Sequence, residues 1–349
     1  MTHWKKIVQD SVTTPEELAL RFKVDCSALE EVIATFPMRI NSYYLDLIKT
    51  VGDPIWRQAV PSPKEIRDSV CMADPLAEED LSPVPNLVHK YPDRVLFLVT
   101  NECAMYCRFC TRKRKVGTAR MHISEDTIQA GIDYIRTNSQ VREVLISGGD
   151  PLLLSDERLD SLLSRLHAVP TLEVIRIGTR IPCTLPMRIT KELTAILKKY
   201  HPLYINTHFN HPSELTPEAA MACTRLADAG IPLGCQTVLL KGVNDDPKIL
   251  SALFLGLLRL RVKPYYLFQA DLTKGTNHFR THTTTGIALM RKLIGNISGM
   301  AIPTYALDAP EGRGKIPLTP DYIVDQGVEL RFRNYLGKLC TYPENGDPL

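Results

Sequence analysis

The chain has 349 residues, of which 44% are hydrophobic and 23% are charged, with a formal net charge of +3 at neutral pH. This is the composition of a folded globular protein, and it excludes the disordered and fibrous classes. The near balance of charge argues against nucleic-acid binding through bulk electrostatics, so we expect no nucleic-acid partner. The longest apolar run, residues 249–258, is too short for the roughly 20 residues of a membrane span, so we expect no membrane partner.

The N-terminal segment continues after its two lysines with polar residues, so we expect no signal peptide and a cytoplasmic location. Residues 1–60 have the amphipathic pattern of helices. Six prolines from Pro61 to Pro92 favour an extended stretch wrapped on the core. We therefore predict an N-terminal helical and proline-rich arm over residues 1–90.

Residues 91–320 alternate short β-branched or apolar runs with helical patterns, which predicts a parallel sheet with crossover helices. The seven candidate strands, whose number suggests a barrel, lie at residues 95–100, 143–147, 173–178, 203–208, 233–240, 265–269 and 301–307. One helix is predicted to begin after Ser124, and another after Thr216 with Pro217 in its first turn. Residues 321–349 are polar and predict a tail or an interface segment.

Cysteine usage points to a metal site. The nine cysteines are an odd number in a chain without an export signal, which favours a reduced compartment over disulfides. Cys103, Cys107 and Cys110 follow the first candidate strand, at the end of a barrel where active sites are built. Three thiolates leave a position open, so two interpretations compete: zinc with a distant fourth ligand, or an iron-sulfur cluster with one open iron.

The C-x-x-x-C-x-x-C spacing, with Phe109 before the last cysteine, resembles the radical S-adenosylmethionine superfamily. The resemblance implies a 4Fe-4S cluster held by the three cysteines and S-adenosylmethionine on its fourth iron. It also implies an α/β fold, a partial, open TIM-type (β/α)6 barrel of the radical S-adenosylmethionine type with extra edge strands. Ser147, Gly148, Gly149 and Asp150 look like the superfamily's GGD loop, whose bare backbone would approach the cofactor's ammonium.

Two basic residues are further candidates. Arg112 opens the basic run 112–115 just beyond the cysteines, where its planar fork could hold a carboxylate; we expect the other three residues to be a solvated face. Lys315 lies on a glycine-flexed segment after the last strand, which suits imine formation with a carbonyl group. Surface lysines are far more common than catalytic ones, so the position of Lys315 does not by itself assign a function.

Seven segments taken together resemble the lysine 2,3-aminomutase family: HKYPDR (89–94), CAMYCRFCTRKRKVG (103–117), SGGDP (147–151), THFNHP (207–212), GVND (242–245), KPYYLFQADLTKGTNHFRT (263–281) and DAPEGRGKIP (308–317). They occur in the family's order and span about residues 55–330. The resemblance implies an isomerase that moves an amino group between C2 and C3 of an amino acid. It also implies pyridoxal 5'-phosphate as a second cofactor.

The same resemblance assigns residues to the two organic cofactors. Lys315 matches the lysine that binds pyridoxal phosphate covalently, and His208 matches a position near S-adenosylmethionine. The phosphate is expected on Tyr91, Arg94 and Gln236. Lys90 stands where arginine is common in the family, a departure that keeps the charge but loses the planar fork.

Substrate choice depends on charge. Arg112 matches the residue that pairs with the substrate's α-carboxylate, and Asp271 and Asp308 stand at the positions that bind an ε-ammonium. Burying an ammonium without opposite charge would cost several kcal/mol, so the acid pair favours lysine as the substrate. Alternatives are an aminomutase for glutamate or arginine, or an enzyme that supplies β-lysine for modification of elongation factor P. A non-catalytic zinc or RNA-binding module is a distant alternative.

The resemblance also bears on partners. It implies a low-potential electron donor and a homo-oligomer. Longer clostridial-type members carry a structural zinc between subunits, which uses a cysteine next to GVND and a cysteine-containing tail. Here Asp246 follows GVND and only Cys340 lies near the end, so we expect this interface zinc to be absent.

Overall fold

The computed structural model describes residues 3–344. Its N-terminal part contains five short helices: α1 (His3–Gln9), α2 (Pro15–Phe22), α3 (Glu30–Thr35), α4 (Ser42–Asp46) and α5 (Pro54–Ala59). Thr14, Asn41 and Asp53 cap α2, α4 and α5, because each side chain accepts hydrogen bonds from backbone N–H groups of the first turn. Residues 66–86 follow without helix or strand. Within the described residues, no helix is long and apolar enough to cross a membrane.

Nine strands form one sheet in chain order: β1 (Leu87–Tyr91), β2 (Arg94–Leu98), β3 (Glu143–Ser147), β4 (Val174–Thr179), β5 (Leu203–Thr207), β6 (Leu233–Leu239), β7 (Val262–Gln269), β8 (Thr304–Ala309) and β9 (Gly314–Pro317). Strands β2 to β8 are parallel, and β1 and β9 add antiparallel edges. The seven predicted strands correspond to β2–β8. The predicted partly open α/β barrel of the radical S-adenosylmethionine type is confirmed.

Six helical crossovers join the parallel strands: α6 (Glu125–Thr137), α7 (Asp156–His167), the pair α8 (Ile181–Thr184) and α9 (Lys191–Leu197), α10 (Pro217–Asp228), α11 (Pro247–Arg259) and α12 (Thr283–Leu293). The predicted caps are present. The Ser124 hydroxyl accepts from the N–H of Thr127 at 3.3 Å, and the Thr216 hydroxyl accepts from the N–H of Ala219 at 3.1 Å. The arrangement amounts to six strand-helix units followed by a seventh parallel strand.

Side-chain alternation along the strands separates the packed outside of the sheet from its interior. On β6, Cys235, Thr237 and Leu239 are buried, while the intervening Gln236 and Val238 line an internal cavity. The sheet has no ladder between its edge strands β1 and β9 within the described residues. The backbone N–H of Lys315 instead donates to the Tyr91 hydroxyl at 3.1 Å, so the two edges meet through a side chain.

The region predicted as a tail contains a second, three-stranded antiparallel sheet: β10 (Ile323–Gln326), β11 (Glu329–Arg333) and β12 (Leu339–Pro343). These strands are mostly exposed, with Val328 exposed by 91% in the turn between β10 and β11. None of the residues in these three strands is buried, so they have no buried apolar face by which strands are recognised. Residues 345–349 of the predicted tail lie outside the described residues.

Candidate active site

A cavity of about 860 Å³ occupies the inside of the barrel. Its wall contains every residue assigned to a site from the sequence: Tyr91, Arg94, Cys103, Cys107, Cys110, Arg112, Ser147, Gly148, Gly149, Asp150, His208, Gln236, Asp271, Asp308 and Lys315. Lys90 also lines it. Residues from β1 to β9 therefore meet in one site, while their individual roles stay predictions.

The cysteine loop follows β2 and is anchored to the N-terminal arm through Arg108, which lies between the second and third cysteines. Arg108 is 1% exposed and forms a bidentate ion pair with the fully buried Glu65, with Nε and Oε1 3.0 Å apart. It also donates to the backbone carbonyl of Pro37 at 2.8 Å. Since breaking a buried ion pair costs about 3–5 kcal/mol, this contact fixes the path of the loop.

Arg180, directly after β4, reaches the cysteine loop from the other side. Its Nη1 donates to Sγ of Cys107 at 2.9 Å, and its Nη2 contacts Oε1 of Glu214 and Oε1 of Gln58, both at 2.7 Å. Arg180 belongs to none of the sequence motifs that predicted the site. Its position at the carboxyl end of a barrel strand was the signal that could have identified it.

The donor set fits a 4Fe-4S cluster. Three thiols line the cavity, and N–H groups of Arg180 and Arg112 point at the sulfurs of Cys107 and Cys110. Each cysteine of a cluster binds a different iron, and such N–H groups tune cluster potentials. Within residues 3–344, no three His, Cys, Asp or Glu side chains converge on the position of a single metal ion. Burial raises the pKa of the Cys110 thiol to about 11, so cluster binding must displace its proton.

The structure shows a second constraint on the glycines after β3, in addition to the cofactor contact predicted from the sequence. A Cβ atom on Gly148 would lie 2.3 Å from the carbonyl oxygen of Thr100, and one on Gly149 would lie 2.2 Å from that of Glu102. The close approach is thus to the backbone that leads into the cysteine loop. Gly148 also has φ +128°, which favours glycine.

Asp150 links the loop after β3 to the carboxyl end of β4. Its carboxylate accepts hydrogen bonds from the Thr179 hydroxyl at 2.6 Å, the Arg180 N–H at 2.7 Å and the Leu152 N–H at 3.1 Å. Burial raises its pKa to about 6 in spite of these donors. Asp150 therefore positions Arg180 as well as the loop that carries the two glycines.

Arg112 has a partner that was not expected. Its Nε lies 3.0 Å from Oε2 of Glu78, and its Nη2 lies 2.6 Å from Oε1 of the same carboxylate. Glu78 is 4% exposed and lines the cavity. Burial lowers the pKa of Arg112, but the charge and the hydrogen bonds of Glu78, together with smaller contributions from the nearby cysteines, raise that pKa on balance. No sequence signal distinguishes Glu78 from the neighbouring acids.

The expectation that the other basic residues of the run form a solvated face is wrong. Lys113 is buried, with its Nζ 2.7 Å from Oε2 of Glu65. Arg114 and Lys115 pair with acids of the N-terminal arm: Arg114 with Asp74 at 2.9 Å, and Lys115 with Glu79 at 3.1 Å. Through these ion pairs, the basic residues hold the cysteine loop against the N-terminal arm.

Lysines and aspartates gather at the edge between β1 and β9. Nζ of Lys315 lies 3.1 Å from Oδ2 of Asp308, and Nζ of Lys90 lies 3.4 Å from Oδ1. Burial and the charge of Asp308 raise the pKa of Asp271 to about 7, and the charges of Lys315 and Lys90 lower it only in part. The acid pair therefore carries a negative potential that an additional cation would relieve.

The wall beside Lys315 fits pyridoxal phosphate. The rings of Tyr266 and Phe268 are stacked with centroids 4.8 Å apart, and Nζ of Lys315 lies 5.2 Å from the Phe268 centroid. Nδ2 of Asn206 and Nε of Arg176 are buried without a partner among the described residues, and both residues line the cavity. The aromatic side chains offer a surface on which a planar pyridine ring can stack, and the unpaired N–H groups offer hydrogen-bond donors to a phosphate.

The remaining predicted cofactor residues lie on neighbouring strands. The guanidinium of Arg94 stacks over the Tyr91 ring at 4.2 Å. Burial, and then the charge of Arg180, lower the pKa of His208 to about 4, and a hydrogen bond from His208 to the side chain of Gln236 opposes this only in part. His208 is therefore uncharged at neutral pH, so it can donate or accept a hydrogen bond without adding charge to the cavity.

Comparisons with known proteins agree with this site. The radical SAM superfamily model matches residues 97–253, and the model described as lysine-2,3-aminomutase matches residues 290–348. L-lysine 2,3-aminomutase of Methanococcus maripaludis is 49% identical over 97% of this chain and 80% of its own length. The enzyme of the same name from Fusobacterium nucleatum is 47% identical over 98% of this chain and 83% of its own.

A relative with another substrate in its name is nearly as similar. Glutamate 2,3-aminomutase of Clostridioides difficile is 46% identical over 94% of this chain and 78% of its own length. Among solved structures, Streptococcus suis SuiB bound to S-adenosylmethionine aligns with a TM-score of 0.47 at 15% identity, covering 62% of this chain and 51% of that one. The barrel, its cysteine loop and the matches along nearly the whole sequence together show that the chain belongs to the lysine 2,3-aminomutase family of radical S-adenosylmethionine enzymes.

Proposed function

We propose that this aminomutase interconverts L-lysine and β-lysine. The observation that carries the proposal is the pair of carboxylates, Asp271 and Asp308, in the wall of the cavity that also contains Lys315. Burial and the charge of Asp308 raise the pKa of Asp271, and a substrate ammonium placed beside the two carboxylates would offset their repulsion. The carboxylate of a glutamate side chain at the same place would add to it.

The family's cofactors are a 4Fe-4S cluster, S-adenosylmethionine and pyridoxal phosphate. When bound, they supply a carbon radical that abstracts hydrogen and a π system through which an amino group migrates. We propose that the cluster binds to the three cysteines and that S-adenosylmethionine lies against Ser147, Gly148, Gly149, Asp150 and His208. For pyridoxal phosphate we propose covalent attachment to Lys315 and phosphate contacts to Tyr91, Arg94 and Gln236.

The protein's own contribution is orientation and charge. Arg112 binds the α-carboxylate at one part of the cavity wall, and Asp271 and Asp308 hold the ε-ammonium at another. Fixing both ends of the substrate restricts which hydrogen atom meets the reactive centre, which is how positioning lowers a barrier. The enclosing strands keep water away from the reacting atoms.

The test is an anaerobic assay in which reconstituted enzyme receives lysine, arginine or glutamate and the products are identified. We expect β-lysine to dominate. Asp271→Asn and Asp308→Asn should each reduce lysine turnover by about tenfold or more, because each removes a charged partner of a buried ammonium. Asp228→Asn is the matched control, since Asp228 pairs with Arg261 on the exposed surface.

Preferential conversion of glutamate would refute the proposed substrate, and full lysine activity in both cavity variants would refute the acid pair as its recognition site. Arginine also carries a side-chain cation, so the comparison of lysine with arginine tests the fit of the cavity to length and shape. The use of β-lysine for modification of elongation factor P is a separate proposal, which an assay with that protein as acceptor would test.

We further propose a low-potential electron donor, a cytoplasmic location and a homo-oligomer. The family's chemistry supports the electron donor, because the cluster must gain one electron before it can cleave S-adenosylmethionine. The nine free cysteines support a reducing compartment such as the cytoplasm. Exposed apolar side chains on and beside the C-terminal sheet, among them Leu336 and Tyr342, support self-association. Sedimentation of the full chain would test the oligomer, and a purely monomeric enzyme at assay concentrations would contradict it.

A further inference from the structure

Glu78 belongs to a segment of the N-terminal arm that is tied to the cavity on several sides. We call residues 68–82 the strap. Oδ2 of Asp68 accepts from the N–H of Gly275 at 2.8 Å, and the N–H of Met72 donates to the carbonyl of Leu272 at 2.7 Å. The N–H of Glu311 donates to the carbonyl of Pro75 at 2.8 Å. These contacts hold the strap against the loops that carry Asp271 and Lys315, so Glu78 lies on a fixed support.

The Glu78 carboxylate uses only one edge of the Arg112 guanidinium. A guanidinium has five N–H donors in a rigid plane, and a carboxylate in the bidentate arrangement occupies the Nε–Nη2 edge. Glu78 contacts those two atoms. Within residues 3–344, Nη1 of Arg112 has no hydrogen-bond partner, which leaves the Nη1–Nη2 edge for a second carboxylate.

We infer that Glu78 is a positioning residue that holds one edge of Arg112 so that the other edge binds the substrate's α-carboxylate. The inference rests on the proposed function, which assigns that carboxylate to Arg112. A buried guanidinium without a fixed partner could rotate about its long side chain, and ordering it would cost binding free energy. The bidentate contact to Glu78 orders it before the substrate enters.

A competing arrangement makes the opposite prediction. If Glu78 occupied the same edge as the substrate, it would have to leave Arg112 on binding, and removing its charge would strengthen lysine binding. If Glu78 and the substrate use separate edges of the Arg112 guanidinium, removing the charge of Glu78 should weaken lysine binding instead.

The experiment compares two ligands on anaerobic holoenzyme without reductant, so that no turnover occurs. L-lysine carries an α-carboxylate, whereas 1,5-diaminopentane has the same chain and both amines but lacks that carboxylate. We expect Glu78→Gln to weaken lysine binding by about tenfold and to leave diaminopentane binding unchanged. Glu78→Asp, which retains the charge on a shorter side chain, should restore part of the lysine affinity. Glu79→Gln is the matched control, because Glu79 is the adjacent acid and pairs with Arg114 and Lys115.

Three outcomes overturn the inference. Glu78→Gln could bind lysine more tightly than the wild type, or it could bind lysine with unchanged affinity. Alternatively, Glu78→Gln and Glu78→Asp could each lose as much affinity for diaminopentane as for lysine. The last would show that Glu78 maintains the cavity as a whole. Arg112→Ala distinguishes this failure from failure of the proposed function. If Arg112→Ala leaves the preference for lysine over diaminopentane intact, the carboxylate site itself is elsewhere.

Discussion

Asp271 should make the substrate-free protein less stable at neutral pH than its amide variant. The ordinary pKa of an aspartate is 3.8, whereas burial and the charge of Asp308 raise the pKa of Asp271 to about 7 in the folded chain. Below pH 4 the carboxyl is protonated in both the folded and the unfolded states and has no effect. As the pH rises from 4 to 7, only the unfolded state loses the proton, so the folded state loses stability.

The loss amounts to up to about 4 kcal/mol, since one pKa unit corresponds to 1.36 kcal/mol and the pKa rises from 3.8 to about 7. Asparagine resembles the protonated carboxyl and does not ionise. Urea unfolding of cofactor-free protein should therefore show that Asp271→Asn becomes progressively more stable than the wild type between pH 4 and pH 7. The difference should level off above pH 7.

Asp228→Asn controls for the amide itself, because Asp228 is exposed in a surface ion pair. Equal stability of wild type and Asp271→Asn across this pH range would refute the assignment of a buried, repelled carboxylate. The variant that gains stability is the one expected to lose lysine turnover. That opposition is typical of functional groups held in unfavourable surroundings.

Three other substitutions each test one contact of a cavity-lining residue or of its neighbours. Lys315→Ala should prevent covalent trapping of pyridoxal phosphate by borohydride, measured by mass spectrometry; a trapped adduct on another lysine would contradict the assignment. Arg180→Lys should lower the midpoint potential of the cluster in an EPR-monitored titration at unchanged iron content, because one N–H donor to Cys107 is lost; an unchanged potential would contradict it. Gly149→Ala should lower the melting temperature by a destabilisation of about 1–3 kcal/mol or more, because its Cβ would lie 2.2 Å from the Glu102 carbonyl oxygen.

The barrel could be predicted from the sequence because its signals are local. Each parallel strand is a short buried run, and α6 and α10 begin at Ser124 and Thr216 with side-chain caps that the structure contains. The three C-terminal strands were missed because none of their residues is buried, so no buried apolar face sets them apart from an exposed segment. Strands without a buried face are specified by hydrogen bonding to neighbours, which a sequence pattern does not show.

The residues predicted for the site all line one cavity, but the side chains that contact them could not be predicted from the sequence. Cysteine spacing, glycines after a strand and acids near a lysine are patterns of residue type, and all of those residues line the cavity. The contact between Arg112 and Glu78 joins residues 34 positions apart, and that between Arg180 and Gln58 joins residues 122 apart. Such pairs depend on where the folded arm lies, and the arm has no motif of its own.

The ion pairs between the N-terminal arm and the cysteine loop explain how the arm contributes to the site. Three cations lie within the cysteine loop or directly after it: Arg108, Arg112 and Lys113. The arm supplies their partners, Glu65 for Arg108 and Lys113, and Glu78 for Arg112. Without those acids, the cations would be buried without counter-charges, which is strongly destabilising. With them, each cation keeps a fixed direction, so one guanidinium edge can remain available to a ligand while the other is occupied. The N-terminal segment that supplies Glu65 and Glu78 and the barrel therefore form one electrostatic unit around the cavity.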